Sequence, residues 1–299
     1  MVIIHVMGGL GNQLYQYAMY EKQKQLGKEV KLDLYAYEVP EGHEDREWRK
    51  LELAWLDGIS YEVCTPQERT LFLDNSMAIK DRIRRKLTGR KNRTLREVSD
   101  YMPEVLSADE VYLYGYWTCE RYYEDMIPLL QSKIRFPQSK NPKNQETMEN
   151  MRKQQSVSIH IRRQDYLTVA DGKRYMGICT EEYYKAAMQY IETHVTEPVY
   201  YIFSDDVEYA REHFTGENMH IVDWNHGDDS MYDMQLMSCC KHNICANSTF
   251  SMWGARLNQN TDKIMIRPLH ADNYETTTAQ EIQENWKKWI LINPKGEIE

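Results

Sequence analysis

From residue 156 onward, short apolar runs alternate with helix-length periodic segments, and few folds accommodate that rhythm. The spacing predicts strands at 156–162, 198–203, 219–223, 242–246 and 263–267, and helices at 180–194, 206–214, 230–240 and 250–258. Strands joined by helices run parallel, and a parallel sheet needs helices over both faces. The beginning of the chain shows the same unit once: Val2 to Val6 is apolar and ends at Gly8 and Gly9, Asn12 to Leu26 has helical spacing, Gly27 is a stop, and Glu29 to Leu34 returns to a strand. Between Tyr35 and Asp109 the pattern is weak; Val111 to Trp117 reads as a strand and Glu120 to Gln131 as a helix, with Pro128 near a bend or end. A chain of 299 residues, 41% of them hydrophobic, can form two domains of about 150 residues each or one large one. Pro137 to Asn144 is almost devoid of apolar residues and reads as a linker. The expected division is therefore 1–140, 141–275, and a closing segment, 276–299, whose amphipathic helix at about 279–291 can pack back on the first domain.

The segment Val157-Ser158-Ile159-His160-Ile161-Arg162-Arg163-Gln164-Asp165-Tyr166 begins as a buried strand and ends in charge. Strand alternation puts His160 and Arg162 on one face and Ile159 and Ile161 on the other. An imidazole, two guanidiniums and a carboxylate add nothing to packing, and the carboxyl end of a parallel strand is where α/β proteins bind ligands. Arginine is always charged and presents a planar fork of donors, which suits a diphosphate. Arg162 is thus the candidate cation for a departing nucleotide diphosphate, with His160 beside it for ribose or phosphate. Arg163 points away from Arg162 in a regular strand, so a structural ion pair competes with donor binding there. Asp165 could accept a hydroxyl proton, although neighbouring arginines lower a carboxylate's pKa and weaken it as a base; a clamp on Arg162 or Arg163 is the alternative.

Three further segments carry chemistry. Gly8-Gly9-Leu10-Gly11-Asn12 follows a strand and opens a helix, where backbone amides attract anions, so Gly9 and Gly11 are candidates for a phosphate loop. A dinucleotide site built on Gly9, Gly11 and Asp33 competes with this, but Leu14 occupies the place of the third glycine. Ser204-Asp205-Asp206 ends a strand: either the aspartates carry a divalent metal beside a diphosphate, or Ser204 and Asp205 receive the guanine edge while Asp206 caps the next helix. Ser248, Thr249 and Phe250 open another helix, where Ser or Thr can cap and can also hold a phosphate.

These segments resemble glycosyltransferase family 11, the α-1,2-fucosyltransferases. His160-Ile161-Arg162-Arg163-Gln164-Asp165-Tyr166 is similar to the family's His-x-Arg-Arg-x-Asp-Tyr motif, Gly8 to Ala18 to its amino-terminal loop and helix, and Asn247-Ser248-Thr249-Phe250-Ser251-Met252-Trp253-Gly254-Ala255 to its carboxy-terminal motif. The blocks occur in the family's order and span nearly the whole chain. Gln164 stands where the family commonly has Gly, and Met252 where an aromatic is common. The resemblance implies an α/β fold of the GT-B type, two Rossmann-like domains facing a cleft. It implies inverting, metal-independent transfer of L-fucose from GDP-β-L-fucose to the 2-hydroxyl of a terminal β-galactoside. In that reading Asn12 contacts the donor's phosphate or sugar, and GDP-fucose is a co-substrate, so no cofactor is expected.

The net charge of −9 argues against a general nucleic-acid binder. No apolar run approaches the roughly 20 residues that span a bilayer, and Met1 to Val6 reads as a strand with no basic leader. The expected setting is a bacterial cytoplasm, which the glycosylation sequon at Asn247 also favours, since a glycan there would block the site. Cys239, Cys240, His242 and Cys245 have poor spacing for zinc. Lys80, Arg82, Arg84, Arg85, Lys86, Arg90, Lys91, Arg93 and Arg96 form a basic run in 80–96, read either as a solvated face or as a contact to an anionic inner-membrane surface or glycolipid acceptor. Two other classes stay open: a nicotinamide-dependent oxidoreductase, and a non-catalytic glycan-binding protein using tyrosines as sugar platforms.

Overall fold

The structure is a computed structural model that describes residues 1–38, 49–73, 79–88, 93–164 and 172–299. The chain forms two units, Met1–Lys133 and Ile134–Glu299. In the first, β1 (Val2–His5), α1 (Leu10–Gln25) and β2 (Val30–Asp33) are followed by α2 (Pro66–Leu73), α3 (Ile79–Thr88), β3 (Thr94–Arg96), α4 (Glu104–Ser107), β4 (Val111–Tyr114) and α5 (Ile127–Lys133). The strands lie in the order β2-β1-β4-β3, all parallel. Gly27, at φ +79°, ends α1, with its amide on the Lys24 carbonyl and the Lys28 amide on that of Gln23. The region expected as one helix from Glu120 is two short 3₁₀ turns before α5, and Pro128 falls in the first turn of that helix, where its missing N–H costs nothing.

The second unit contains α6 (Pro142–Lys153), β5 (Gln155–Ile161), α7 (Glu181–His194), β6 (Pro198–Ser204), α8 (Val207–His213), β7 (Met219–Val222), α9 (Met231–Cys239), β8 (His242–Ile244), α10 (Thr249–Leu257), β9 (Met265–Pro268), α11 (Ala279–Asn285) and β10 (Ile290–Ile292). Its parallel sheet has the order β10-β9-β8-β5-β6-β7. Counted from β5, that is the doubly wound Rossmann order, which reverses direction between β5 and β8. The central strand β5 is covered on both faces. Val157, Ile159 and Ile161 pack with Tyr183, Tyr184, Ala187 and Ile191 of α7; each such buried aliphatic contributes about 1.5–3 kcal/mol. On the far face of the sheet, Tyr201, Phe203 and Val222 meet Met151, Leu236 and Met237. There the polar residues of β5 find partners: the Ser156 hydroxyl donates to the Met151 carbonyl at 2.8 Å, and Ser158 Oγ accepts from Asn243 at 2.7 Å.

Two expectations are corrected. The supposed linker residues Asn141 to Asn144 start a helix. Asn141 caps α6 by accepting the Lys143 amide, Pro142 occupies its first position, and the buried Asn144 side chain bonds Asn225, Trp224 and Ser139. Asn-Pro is a cap signature as much as a turn signature. The closing segment does not form one helix, and its apolar residues pack within the second unit. The helix stops at Asn285, and Ile290–Ile292 becomes the outer strand of the sheet, as an apolar run rich in β-branched residues favours. Ile282, Trp286, Trp289 and Leu291 pack with Cys245, Met252, Ala255 and Met265.

Candidate active site

The reversal of strand order leaves the carboxyl ends of β5 and β8 side by side, with no helix crossing between them, and both of those ends carry the motif residues. Tyr184 and Tyr183 of α7 hold them in place. The Tyr184 hydroxyl donates to the His160 carbonyl at 2.9 Å and that of Tyr183 to the Cys245 carbonyl at 2.6 Å. Sequence reasoning missed this pair. Adjacent tyrosines early in a helix after a capping Thr180 were the only signal.

His160 is 5% exposed, its ring centroid lies 5.9 Å from that of Phe250, and its Nδ1 has no hydrogen-bond partner. Burial, and secondarily the Arg162 charge, depress its pKa to about 3. His160 is therefore a neutral imidazole with a spare polar atom, placed beside the first turn of α10. Arg162, on the strand extension beyond Ile161, has Nε 3.3 Å from Oδ2 of Asp205. The other Asp205 oxygen accepts the Arg163 backbone amide at 2.8 Å. Arg162 is about one quarter exposed, so it is held by a carboxylate yet open to solvent.

The Arg163 side chain goes elsewhere, as the ion-pair reading expected: Nε is 3.2 Å from Asp206, and the guanidinium lies 3.7 Å from the Tyr209 ring. Asp206 caps α8 by accepting the Tyr209 amide at 3.2 Å. Ser204 exchanges hydrogen bonds with the Asp206 backbone at 3.0 Å in each direction, forming the turn between strand and helix. Ser204 and Asp205, read for the guanine edge, both have bonds inside the protein here. One side chain braces the turn, and the other fixes the chain leaving β5. Asp165 lies outside the described residues.

At the end of β8, Ser248 is the amino-terminal flank of α10 with extended backbone, and its side chain makes no capping bond. No acidic residue stands in the helix's first turn. The start of α10, with Ser248, Thr249 and Phe250 half-buried around it, therefore presents amide donors and the positive end of the helix dipole. Asn247 is structural. Its side-chain nitrogen donates to the carbonyls of Tyr175 and Ala271, each at 3.2 Å, bracing the loops on either side. Cys240 and Cys245 belong to different apolar clusters, and His242 Nδ1 accepts the Ile264 amide, so the residues considered for zinc are core residues. Among the described residues no group of three or more His, Cys, Asp or Glu could hold a metal ion.

In the first unit the glycine loop turns as expected, with Gly8 at φ +82° and the Asn12 side chain folded against it. A protein carboxylate stands at this loop: Glu52 accepts the Leu10 amide at 2.5 Å, between Gly9 and Gly11, the residues read for a phosphate. The second corner of the dinucleotide reading is also taken. Asp33 is 2% exposed and bonds Arg69 Nε at 2.8 Å, the Tyr112 hydroxyl and the Tyr35 amide. Burial would raise its pKa, but His5, Tyr112, the Tyr35 amide and Arg69 together hold it far below the carboxylate range. Its buried carboxylate is thus part of an internal network of hydrogen bonds and an ion pair. Sequence reasoning also missed Glu97, which accepts the Tyr116 and Trp117 amides at 2.7 and 3.0 Å, shaping the turn after β4 in which Trp117 has φ +57°.

The chain holds two parallel α/β units, the second in the doubly wound Rossmann order, as expected for a GT-B-like protein. The glycosyl transferase family 11 profile matches residues 80–293, and the chain belongs to that family. An α-1,2-colitosyltransferase of Escherichia coli is 29% identical over 97% of this chain and 98% of its own length. The O-antigen biosynthesis glycosyltransferase WbnK of E. coli is 44% identical over 38% of each chain. A galactoside α-(1,2)-fucosyltransferase of Ateles belzebuth is 30% identical over 34% of this chain and 28% of its own. Among solved structures, NodZ α-1,6-fucosyltransferase soaked with GDP-fucose superposes with a TM-score of 0.44 at 12% identity, covering 86% of this chain and 92% of the other. The E. coli heptosyltransferase WaaC with ADP gives 0.40 at 11% identity, covering 99% and 94%.

Proposed function

We propose that this protein is an inverting galactoside α-1,2-fucosyltransferase that takes L-fucose from GDP-β-L-fucose. The observation that carries the reading is the Arg162 guanidinium, held by Asp205 at the carboxyl end of β5, where the neutral His160 adjoins the start of α10. In the proposed reaction the galactoside 2-hydroxyl oxygen bonds to C1 of fucose as the bond from C1 to the β-phosphate oxygen breaks. The electron pair leaves with GDP, and the hydroxyl proton passes to a base. Arg162 and the amides of Ser248, Thr249 and Phe250 stabilise the charge that develops on the diphosphate, which preorganised cations and dipoles do most effectively. His160 is the donor-side hydrogen-bonding group and Asp165 the base. Asp205 and Asp206 serve arginines and a helix cap in this scheme, so the reaction runs without a divalent cation.

The test measures GDP release from GDP-fucose with and without lactose. Acceptor-dependent release by the wild type, retained in EDTA and reduced at least about 10²-fold by Arg162→Ala, supports the reading. Release unaffected by Arg162→Ala overturns the arginine's role, and no release with any β-galactoside overturns fucosyl transfer. A protein that binds glycans without turnover would show the latter.

The similarity to a colitosyltransferase over nearly the whole chain favours a second reading of the donor. Colitose is the 3-deoxy counterpart of L-fucose. A site that hydrogen-bonds the 3-hydroxyl rejects the deoxy sugar by about 10⁴-fold or more, whereas a site that merely tolerates it discriminates by about 10²-fold or less. Competition between the two nucleotide sugars decides between them.

A further inference from the structure

The basic run divides in the structure. Arg93 pairs with Glu110 at 2.6 Å and Arg96 lies 4.3 Å from the Tyr114 ring, so both are folded onto their own unit, while Arg90 and Lys91 lie outside the described residues. The remaining part is α3, and it is exposed. Ile79 is 75% accessible, Ile83 55% and Leu87 81%. These three stand four residues apart, so they form one line covering about 80° of the helix surface. By the same rotation Arg82 and Lys86 flank the line on one side, and Lys80 and Arg84 on the other. Arg85, opposite the line, is the half-buried member. The helix thus leaves its apolar line and its basic flanks exposed, and of these residues only Arg85 is half-buried. This reverses the arrangement of a helix that packs on a core.

We propose that α3 is an interfacial helix that lays Ile79, Ile83 and Leu87 into an anionic phospholipid surface, with Lys80, Arg82, Arg84 and Lys86 on the headgroups. A helix that combines an apolar line with basic flanks binds membranes through buried apolar area and headgroup attraction together. A merely solvated face would explain the charges and leave the aliphatic line unexplained. Charge complementarity selects the occupant. The chain as a whole carries −9, so anionic lipid repels most of its surface, and α3 concentrates five cations against Asp81. Lipid contact would place the enzyme where a lipid-linked glycan is displayed. The lipid contact itself does not depend on which sugar is transferred.

The test is co-sedimentation of the full chain with vesicles of phosphatidylglycerol and phosphatidylcholine, against vesicles of phosphatidylcholine alone. Two double variants are compared with wild type: Ile83→Gln with Leu87→Gln, and Arg82→Gln with Lys86→Gln. Wild type should partition onto the anionic vesicles. Each variant should lose about tenfold or more in partitioning, and binding should fall at about 1 M salt, where the screening length is about 3 Å. Thermal melts unchanged by these surface substitutions would show that the fold is intact. Equal sedimentation of wild type and both variants overturns the proposal, as does a lack of wild-type binding. Light scattering covers the competing occupant: a wild-type dimer that Ile83→Gln with Leu87→Gln converts to a monomer, without vesicle binding, would assign the apolar line to self-association and overturn the lipid contact.

Discussion

The Asp205 carboxylate receives the Arg163 backbone amide at 2.8 Å and stands 3.3 Å from Nε of Arg162. One side chain at the end of β6 therefore sets both the path of the chain leaving β5 and the direction of the guanidinium it carries. Arg163, for all its motif character, faces α8 and contributes to the turn through its backbone.

Asp205→Ala should lower kcat/KM by about 10²-fold, because a misdirected cation no longer meets the developing charge. Asp205→Asn keeps an acceptor for the Arg163 amide and should recover the melting temperature more than the activity. Steady-state kinetics beside thermal melts check this. Equal recovery of both properties would reduce Asp205 to a fold residue.

His160, with a pKa of about 3 when folded, binds a proton more readily in the unfolded chain, where the ordinary value is 6.5. Its contribution is fully present above pH 6.5 and is lost as pH falls toward 3. Between pH 6.5 and 5 the loss is about 2 kcal/mol. His160→Gln should lack that slope. Urea titrations at the two pH values, giving parallel changes for wild type and variant, would contradict the neutral imidazole.

Asp233 in α9 runs the other way. Burial raises its pKa to about 7, although Asn225 donates to it at 2.8 Å. The folded form holds its proton over the range in which the unfolded carboxyl ionises, so Asp233's contribution to stability is greatest below pH 3.8 and is lost as pH rises from there to about 7. Asp233→Asn should be more stable than wild type at pH 8 by about 1–2 kcal/mol, a figure discounted for the partial exposure of the carboxylate. The two proteins should melt together at pH 4.

Gly8→Ala should lower stability by about 1–3 kcal/mol. The backbone is at φ +82°, and the added methyl would lie 2.4 Å from Asn12 Nδ2. Combining it with Asn12→Ala relieves the collision and leaves the backbone strain, so the double variant should recover only part of the loss in melting temperature.

The second sheet was legible in the sequence because its strands are buried on both faces and stand out as apolar runs between helices. β10 was not, since Ile290–Ile292 is short and follows two tryptophans that suit a helix face equally well. Among the site residues, His160 and Arg162 were visible because polar side chains at the end of an apolar strand have no packing purpose. The assignments of Glu52 and Asp205 depend on partners 42 residues away in each case, a separation that local pattern does not encode. Asp33 illustrates the converse. It sits at the right distance for a ribose in sequence, yet the fold brings Arg69 and Tyr112 to it first.

The outer strand β10 has a consequence for biosynthesis. The first sheet needs no residue beyond Tyr114, so it can close while the ribosome is still translating the rest. The second waits for Ile292, the last residue of its edge, to leave the exit tunnel. Until then β9 offers an unpaired edge to any other nascent chain, which makes this late interval the one in which a chaperone would matter most.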